Sequence, residues 1–462
     1  MVTVLDKHKK YKSTYGSNEL FWGLGIEVET YFQFDKPIYV AAPIIRKCHK
    51  PERYSVDYYK NYKDIHIDAF SILFPDSSGC FPLPFFINGH CLSKLDKKGI
   101  HATTYEKVPK PNPKFSGKTL LDEMKDFSSF FKNGHEVSYV FDGDTVEFMT
   151  LDFYKANVRR VLKELIQYKM KFLKKFNKFL MIRGYHKEKG KLIYPPRNPG
   201  FAVFYSNPSN VVMFNNGTYH INITLPSALG PLGEDGIPTL AFPELFKQQH
   251  KACIKMIQWL EPFLIAVYGT SDPLSAVSNV FSKGSQRCAI SRYIGIGTYD
   301  VDKMPEGKIM TVPVKNVTCS QVDYWWYSIY HKTSGYAPPD TIGMDINYKK
   351  HYNHGIELRF FDWFPEDRLT TLIEFIVYSC EAALSRQEPE AAAFSRTWNE
   401  FVIGILTEGG DYILPDEITA VYERLLGIQL LGKRISVIEA FEYIFKELKL
   451  KYKNGYCAKR LL

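Results

Sequence analysis

Between Trp22 and Gln33 the chain alternates two kinds of residue. Trp22, Leu24, Ile26, Val28 and Phe32 take the even positions, and Gly23, Gly25, Glu27 and Glu29 the odd ones. Successive side chains of a β-strand point to opposite faces, so Glu27 and Glu29 share a face, about 7 Å apart. Carboxylates at that spacing repel unless a cation lies between them or one is protonated. The glycines keep the same face open to a ligand. Three further segments repeat the pattern. Tyr139 to Leu151 turns at Asp142-Gly143-Asp144 and continues as a strand in which Glu147 points away from Val146 and Phe148. Thr218 to Leu225 puts His220, Asn222 and Thr224 on one face and Ile221, Ile223 and Leu225 on the other. His354 to Asp362 opposes Glu357 and Arg359 to Ile356, Leu358 and Phe360.

Any one of these strands is accounted for by a solvated polar face, because half-exposed antiparallel strands read apolar-in and polar-out. Taken together they point further. Glu and Asn are depleted in strands, and the polar set is selective: carboxylates, one His, one Asn and one Arg. Those are oxygen ligands, a nitrogen ligand and a phosphate clamp, the groups that magnesium and a triphosphate require. A sheet with helices on its outer face and metals on its concave inner face would account for all four segments.

The elements that must position these residues read as α+β. Strand-like alternation dominates 1–230 and 285–365, with much of the sheet antiparallel. Gln248 to Tyr268 reads as helical, interrupted at Glu261-Pro262 into a buried helix pair. The tail from Pro365 offers helices at Leu369–Leu384, Ala391–Leu406, Asp416–Leu426 and Val437–Leu448, separated by Gly and Pro signals such as Gly409-Gly410 and Leu414-Pro415. Lys155 to Lys191 is strongly basic. Val158, Val161, Leu162, Leu165, Tyr168, Phe172, Phe176 and Phe179 follow helical spacing there, with Lys and Arg opposite them. That opposite side is a solvated face or a contact for an acidic partner; nucleic acid is not the expected one.

The bulk properties exclude several classes. The 462 residues, 45 % hydrophobic, suffice for a large core, and the net charge is +9. No apolar run approaches a membrane span of about 20 residues. Met1 to Tyr11 is charged, so no secretory signal is expected. The eight cysteines include no Cys-x-x-Cys pair, which suits a reducing, cytoplasmic compartment. Phe115-Ser-Gly-Lys-Thr119 lacks the first glycine and the preceding strand of a phosphate loop. Asp64-Ile-His-Ile-Asp68 could ligate a metal but reads better as an edge strand with a polar face, and Gly295-Ile-Gly297 reads as a turn. Gly-x-Ser-x-Gly and His-Glu-x-x-His are absent, which removes common hydrolase and zinc-protease readings.

In order along the chain, Gly25-Ile-Glu-Val-Glu29, Asp142-Gly-Asp-Thr-Val-Glu147, His220-Ile-Asn222 and Glu357-Leu-Arg-Phe-Phe-Asp362 resemble the motifs of the glutamine synthetase and glutamate–cysteine ligase superfamily of carboxylate–amine ligases. Trp259 to Tyr268, Ser271-Asp-Pro273 and Ser291-Arg-Tyr293 resemble the helix, Ser-Pro loop and Ser-Arg segment of its glutamate–cysteine ligase branch, with Asp272 inserted. The resemblance spans roughly 20–365 as short islands and leaves 40–130 unplaced. It implies a curved, largely antiparallel half-barrel sheet with helices on the outer face, a catalytic domain over 1–365 and a helical region over 366–462. It further implies that ATP converts a carboxylate to an acyl phosphate, which an amine displaces to form an amide or isopeptide bond. Magnesium, or manganese in its place, would be held by Glu27, Glu147, Glu29, His220 and Glu357, with Glu357, His220, Asn222 and Arg359 also toward the nucleotide. Arg359 and Arg292 would neutralise the transferring phosphoryl group, Asp142 would be the general base, and the substrates would be small-molecule or peptide acids and amines. A kinase on the same sheet and a non-catalytic descendant are the competing readings.

Overall fold

The computed structural model describes residues 16–36, 118–142, 145–150, 154–184, 190–196, 218–234, 238–270, 355–386, 389–390, 392, 395–430 and 434–462. Short strand segments at 39–41, 80–82, 84–85, 293–294, 308–309 and 346–348 are described as well. Asp64–Asp68, the segment 105–117, Ser271–Pro273, Arg292 and Gly295–Gly297 lie outside the described residues, as do Asp144 and the side chain of Asp142.

The architecture is α+β. Its main element is a seven-stranded sheet built from β1 (Leu20–Thr30), β2 (Tyr139–Asp142), β3 (Thr145–Met149), β4 (Tyr219–Leu232), β5 (Pro238–Leu240), β6 (Ile346–Tyr348) and β7 (Ile356–Phe361). The order is β6-β7-β4-β1-β3-β2, with β5 added to β4, and all these pairings are antiparallel. The four segments singled out for their polar faces are therefore consecutive neighbours: β7, β4, β1 and β3. Their apolar faces carry Ile26, Val28, Val146, Phe148, Ile221, Ile223, Leu358 and Phe360, all buried.

Helices cover that apolar face. Packed on it are α1 (Val158–Ile182) and α2 (Pro243–Tyr268), while α3 (Leu369–Ser385), α4 (Arg396–Glu408), α5 (Asp416–Leu426) and α6 (Val437–Tyr452) pack against these helices and one another. The Asn157 side chain caps α1 by accepting from Arg160 N. Phe172 of α1 meets Phe148 edge-on at 5.0 Å between ring centroids and Tyr139 at 4.9 Å, so aromatic rings fill this helix–sheet junction. On the outer side of α1, Arg159, Lys163, Lys171, Lys174 and Lys178 are exposed, whereas Lys169 is buried against Glu366. Strand and C-terminal helix residues belong to one continuous hydrophobic cluster.

The expected break at Glu261-Pro262 does not occur: α2 runs unbroken from Pro243 to Tyr268 with Pro262 inside it. Proline has no N–H for the carbonyl four residues back, which leaves Gln258 O without its helical donor. Trp398 Nε1 of α4 donates to that oxygen at 3.1 Å, and Tyr422 OH of α5 donates to Trp259 O at 2.5 Å. The indole N–H thus replaces the donor that the proline removes, and the Tyr422 bond adds a second tertiary tie beside it. The tail helices fall near the expected places. Gly409 and Gly427 both have positive φ, the left-handed region that glycine tolerates best, and both follow helix ends directly. Lys118 and Thr119 have local roles: Lys118 pairs with Asp126, and Thr119 forms a capping box with Asp122 at the start of a short helix.

Candidate metal centre

Register decides what meets on the polar face. Across β1 and β4, Gly25 opposes Asn222 and Glu27 opposes His220; across β4 and β7, Asn222 opposes Glu357; across β1 and β3, Glu29 opposes Glu147. Directly opposed residues of an antiparallel pair project to the same face. The face therefore gathers Glu27, Glu29, Glu147, His220, Asn222 and Glu357 from four strands. Arg359 joins them two residues beyond Glu357, with its Nη1 3.2 Å from Glu357 Oε1.

At the centre, Glu27, His220 and Glu357 each offer a ligand atom, all within 4.8 Å of one another. His220 Nδ1 lies 3.4 Å from Glu27 Oε2 and 3.8 Å from Glu357 Oε1. Asn222 Nδ2 donates to Glu27 Oε1 at 3.3 Å, which orients that carboxylate. Glu29 and Glu147 lie one register step further along β1, and Thr218 Oγ1 is 3.5 Å from both Glu29 Oε2 and His220 Nε2.

The electrostatics follow from burial. Glu357 is 1 % exposed and His220 4 %. Burial pushes the His220 imidazolium pKa down to about 4, and the Arg359 charge pushes the same way. The bond from Glu27 and the Glu357 charge oppose the shift without overcoming it. The ring is neutral at physiological pH, the form in which imidazole offers a lone pair to a metal. Two carboxylates and one neutral imidazole in mutual reach fit a divalent cation, and the buried carboxylate charge fits it best when that charge is offset.

The motif residues divide. The face brings together Glu27, His220, Asn222, Glu357 and Arg359, and it sets Glu29 and Glu147 as a facing pair beside them. Asp362, the last residue of the closing motif, is elsewhere: its Oδ2 accepts from Thr270 N at 2.9 Å and ties the end of β7 to the end of α2. The backbone of Asp142 ends β2 opposite Thr145. Thr218 is a participant that the motifs omit; its even parity with His220 on one strand was the available signal.

No family model and no solved structure matches this chain. It is similar to the uncharacterized protein R704 of Acanthamoeba polyphaga mimivirus, with 38 % identity over 466 residues that take in 100 % of this chain and 80 % of that protein. Identity at that level along the whole length places the two in one family, and this chain belongs to the family of that mimivirus protein.

Proposed function

We propose that the chain is an ATP- and magnesium-dependent carboxylate–amine ligase on a glutamine-synthetase-like curved sheet. The observation that carries this reading is the cluster of half-buried Glu27 with buried His220 and Glu357, flanked by Arg359 and assembled across three neighbouring strands. The order of motifs along the chain and the antiparallel sheet with helices on its apolar face support it further. Glu27, Glu357 and His220 would hold the cation; the carboxylates suit magnesium, and the imidazole extends the fit to manganese. Such an ion supplies charge neutralisation and orientation for the phosphates of ATP.

The chain's own groups do the rest. An oxygen of the acid substrate attacks the γ-phosphorus of ATP, the bond to the bridging oxygen breaks, and ADP leaves. The amine nitrogen then attacks the acyl carbon, phosphate departs and an amide remains. Arg359 stabilises charge on the transferring group through its forked guanidinium. Asn222 keeps Glu27 turned into the site. On the family resemblance, Arg292 assists Arg359 and Asp142 takes the proton from the amine. The buried free thiols Cys253, Cys380 and Cys457 support a reducing intracellular setting. Among the described residues no helix is long and apolar enough to cross a membrane.

The test is ADP release from Mg-ATP with a panel of acids, amines and peptides, with products identified by mass spectrometry. A ligase requires both an acid and an amine. Release that needs only a single acceptor points to a kinase, and a chain indifferent to millimolar Mg-ATP points to a non-catalytic descendant.

A further inference from the structure

We infer that Thr218, backed by Glu29, forms the outer half of the cation site, where its hydroxyl oxygen receives the ring hydrogen of His220 and so directs the Nδ1 lone pair at the ion. This rests on the reading of Glu27, His220 and Glu357 as cation ligands. A neutral imidazole carries one hydrogen on one of two nitrogens, and only the bare nitrogen can ligate. Nδ1 faces both carboxylates, at 3.4 Å and 3.8 Å. Nε2 faces Thr218 Oγ1 at 3.5 Å, and the same hydroxyl oxygen is 3.5 Å from Glu29 Oε2. Thr218 is 1 % and Glu29 8 % exposed, so bulk water competes little for these bonds.

One hydroxyl hydrogen cannot serve both neighbours, which makes the arrangement two-state. Without a cation, the ring hydrogen belongs on Nδ1, where Glu27 accepts it, and Thr218 donates its hydroxyl to Nε2. With a cation on Nδ1, the ring hydrogen is on Nε2 and donates to Thr218 Oγ1, and the hydroxyl turns to Glu29. One hydrogen leaves Nδ1, one arrives on Nε2, the threonine keeps its own, and no net proton is exchanged. Partners of this kind on the far nitrogen of a ligating histidine fix its tautomer and raise its basicity. Glu29 then acts through Thr218, as a positioning residue one step from the ion.

The experiment uses the full chain. Nitrogen-15 NMR of labelled histidine, with His220→Gln for assignment, should show a hydrogen on Nδ1 without cation and on Nε2 with saturating Mg2+. Calorimetry should show Thr218→Val binding Mg2+ roughly 10- to 100-fold more weakly than wild type, and Thr218→Ser restoring most of the affinity. Melting curves without cation establish that Thr218→Val is folded. If it is not, the wild-type tautomer shift and the Thr218→Ser affinity decide. A Thr218→Val chain that binds Mg2+ like wild type overturns this inference and leaves the cation site standing, whereas a ring that keeps its Nδ1 hydrogen at saturation overturns it and removes His220 from the ligand set as well. A wild-type chain that binds neither Mg2+ nor Mn2+ at millimolar concentration overturns both.

Discussion

Glu27 and His220 are direct cross-strand partners in the β1–β4 ladder, and His220 Nδ1 lies 3.4 Å from Glu27 Oε2. That pair fixes the centre of the polar face. Asn222 orients the carboxylate from one side, and Glu357 completes the donor set from the next strand.

Glu27→Gln should lose most of the stabilisation that Mg-ATP confers on the wild-type chain. A ligand that binds only the folded state at a hundred times its Kd adds about 2.7 kcal/mol. The measurement is the melting temperature with and without Mg-ATP. Retention of the full rise in the variant would remove Glu27 from the ligand set.

Arg359→Lys should cost on the order of 10² in turnover while nucleotide binding is largely kept, because the charge stays and the bidentate fork is lost. Product formation must be followed with both substrates present, since uncoupled ATP hydrolysis would mask the loss. Near wild-type product formation would leave Arg359 only as the partner of Glu357.

Acid should weaken the fold through His250. Its Nε2 accepts from Leu225 N at 3.1 Å, its Nδ1 pairs with Phe246 O at 2.7 Å, and burial pushes its pKa from the ordinary 6.5 down to about 4. Below pH 6.5 the unfolded chain binds a proton that the folded chain refuses. Stability therefore falls as pH drops from about 6.5 to about 4 and levels off below, by at most roughly 3 kcal/mol for this group. In denaturant titrations at pH 7 and 4.5, His250→Gln should show a smaller difference than wild type. An unchanged difference would mean that His250 does not report on folding.

Gly355→Ala should destabilise. A Cβ there would lie 2.4 Å from His250 Nε2 of α2 and 2.5 Å from the backbone oxygen of Ile223 in β4, so the start of β7 would have to move away from both. Overpacking of this kind costs about 1–3 kcal/mol. A lower urea midpoint is the expected readout, and an unchanged midpoint would show that β7 has room to shift.

Trp398→Phe should cost about 1–3 kcal/mol, the range for a buried carbonyl left without its donor. The carbonyl is that of Gln258, freed by Pro262 and held by the indole N–H. Restoring the helical donor with Pro262→Ala in the same chain should recover part of the loss. If the double variant is no more stable than Trp398→Phe, the indole bond is not what sustains the helix.

The faces of the strands were legible from the residues alone. Period-two alternation is a local consequence of extended backbone, so Glu27 with Glu29, His220 with Asn222, and Glu357 with Arg359 could be paired before any coordinates. The helix from Asp416 to Leu426 was legible for a similar reason, since Pro415 and Gly427 bracket it with local backbone preferences. Register was not legible. Which carboxylate faces His220 depends on hydrogen bonds between segments 193 residues apart, and nothing in either segment encodes the other's offset. The same limit hid Thr218, whose position beside His220 acquires meaning only when Glu29 arrives from β1. It also produced the false break at Pro262: a proline signals a lost helical bond, and only the tertiary structure supplies Trp398, 140 residues from Gln258, to replace it.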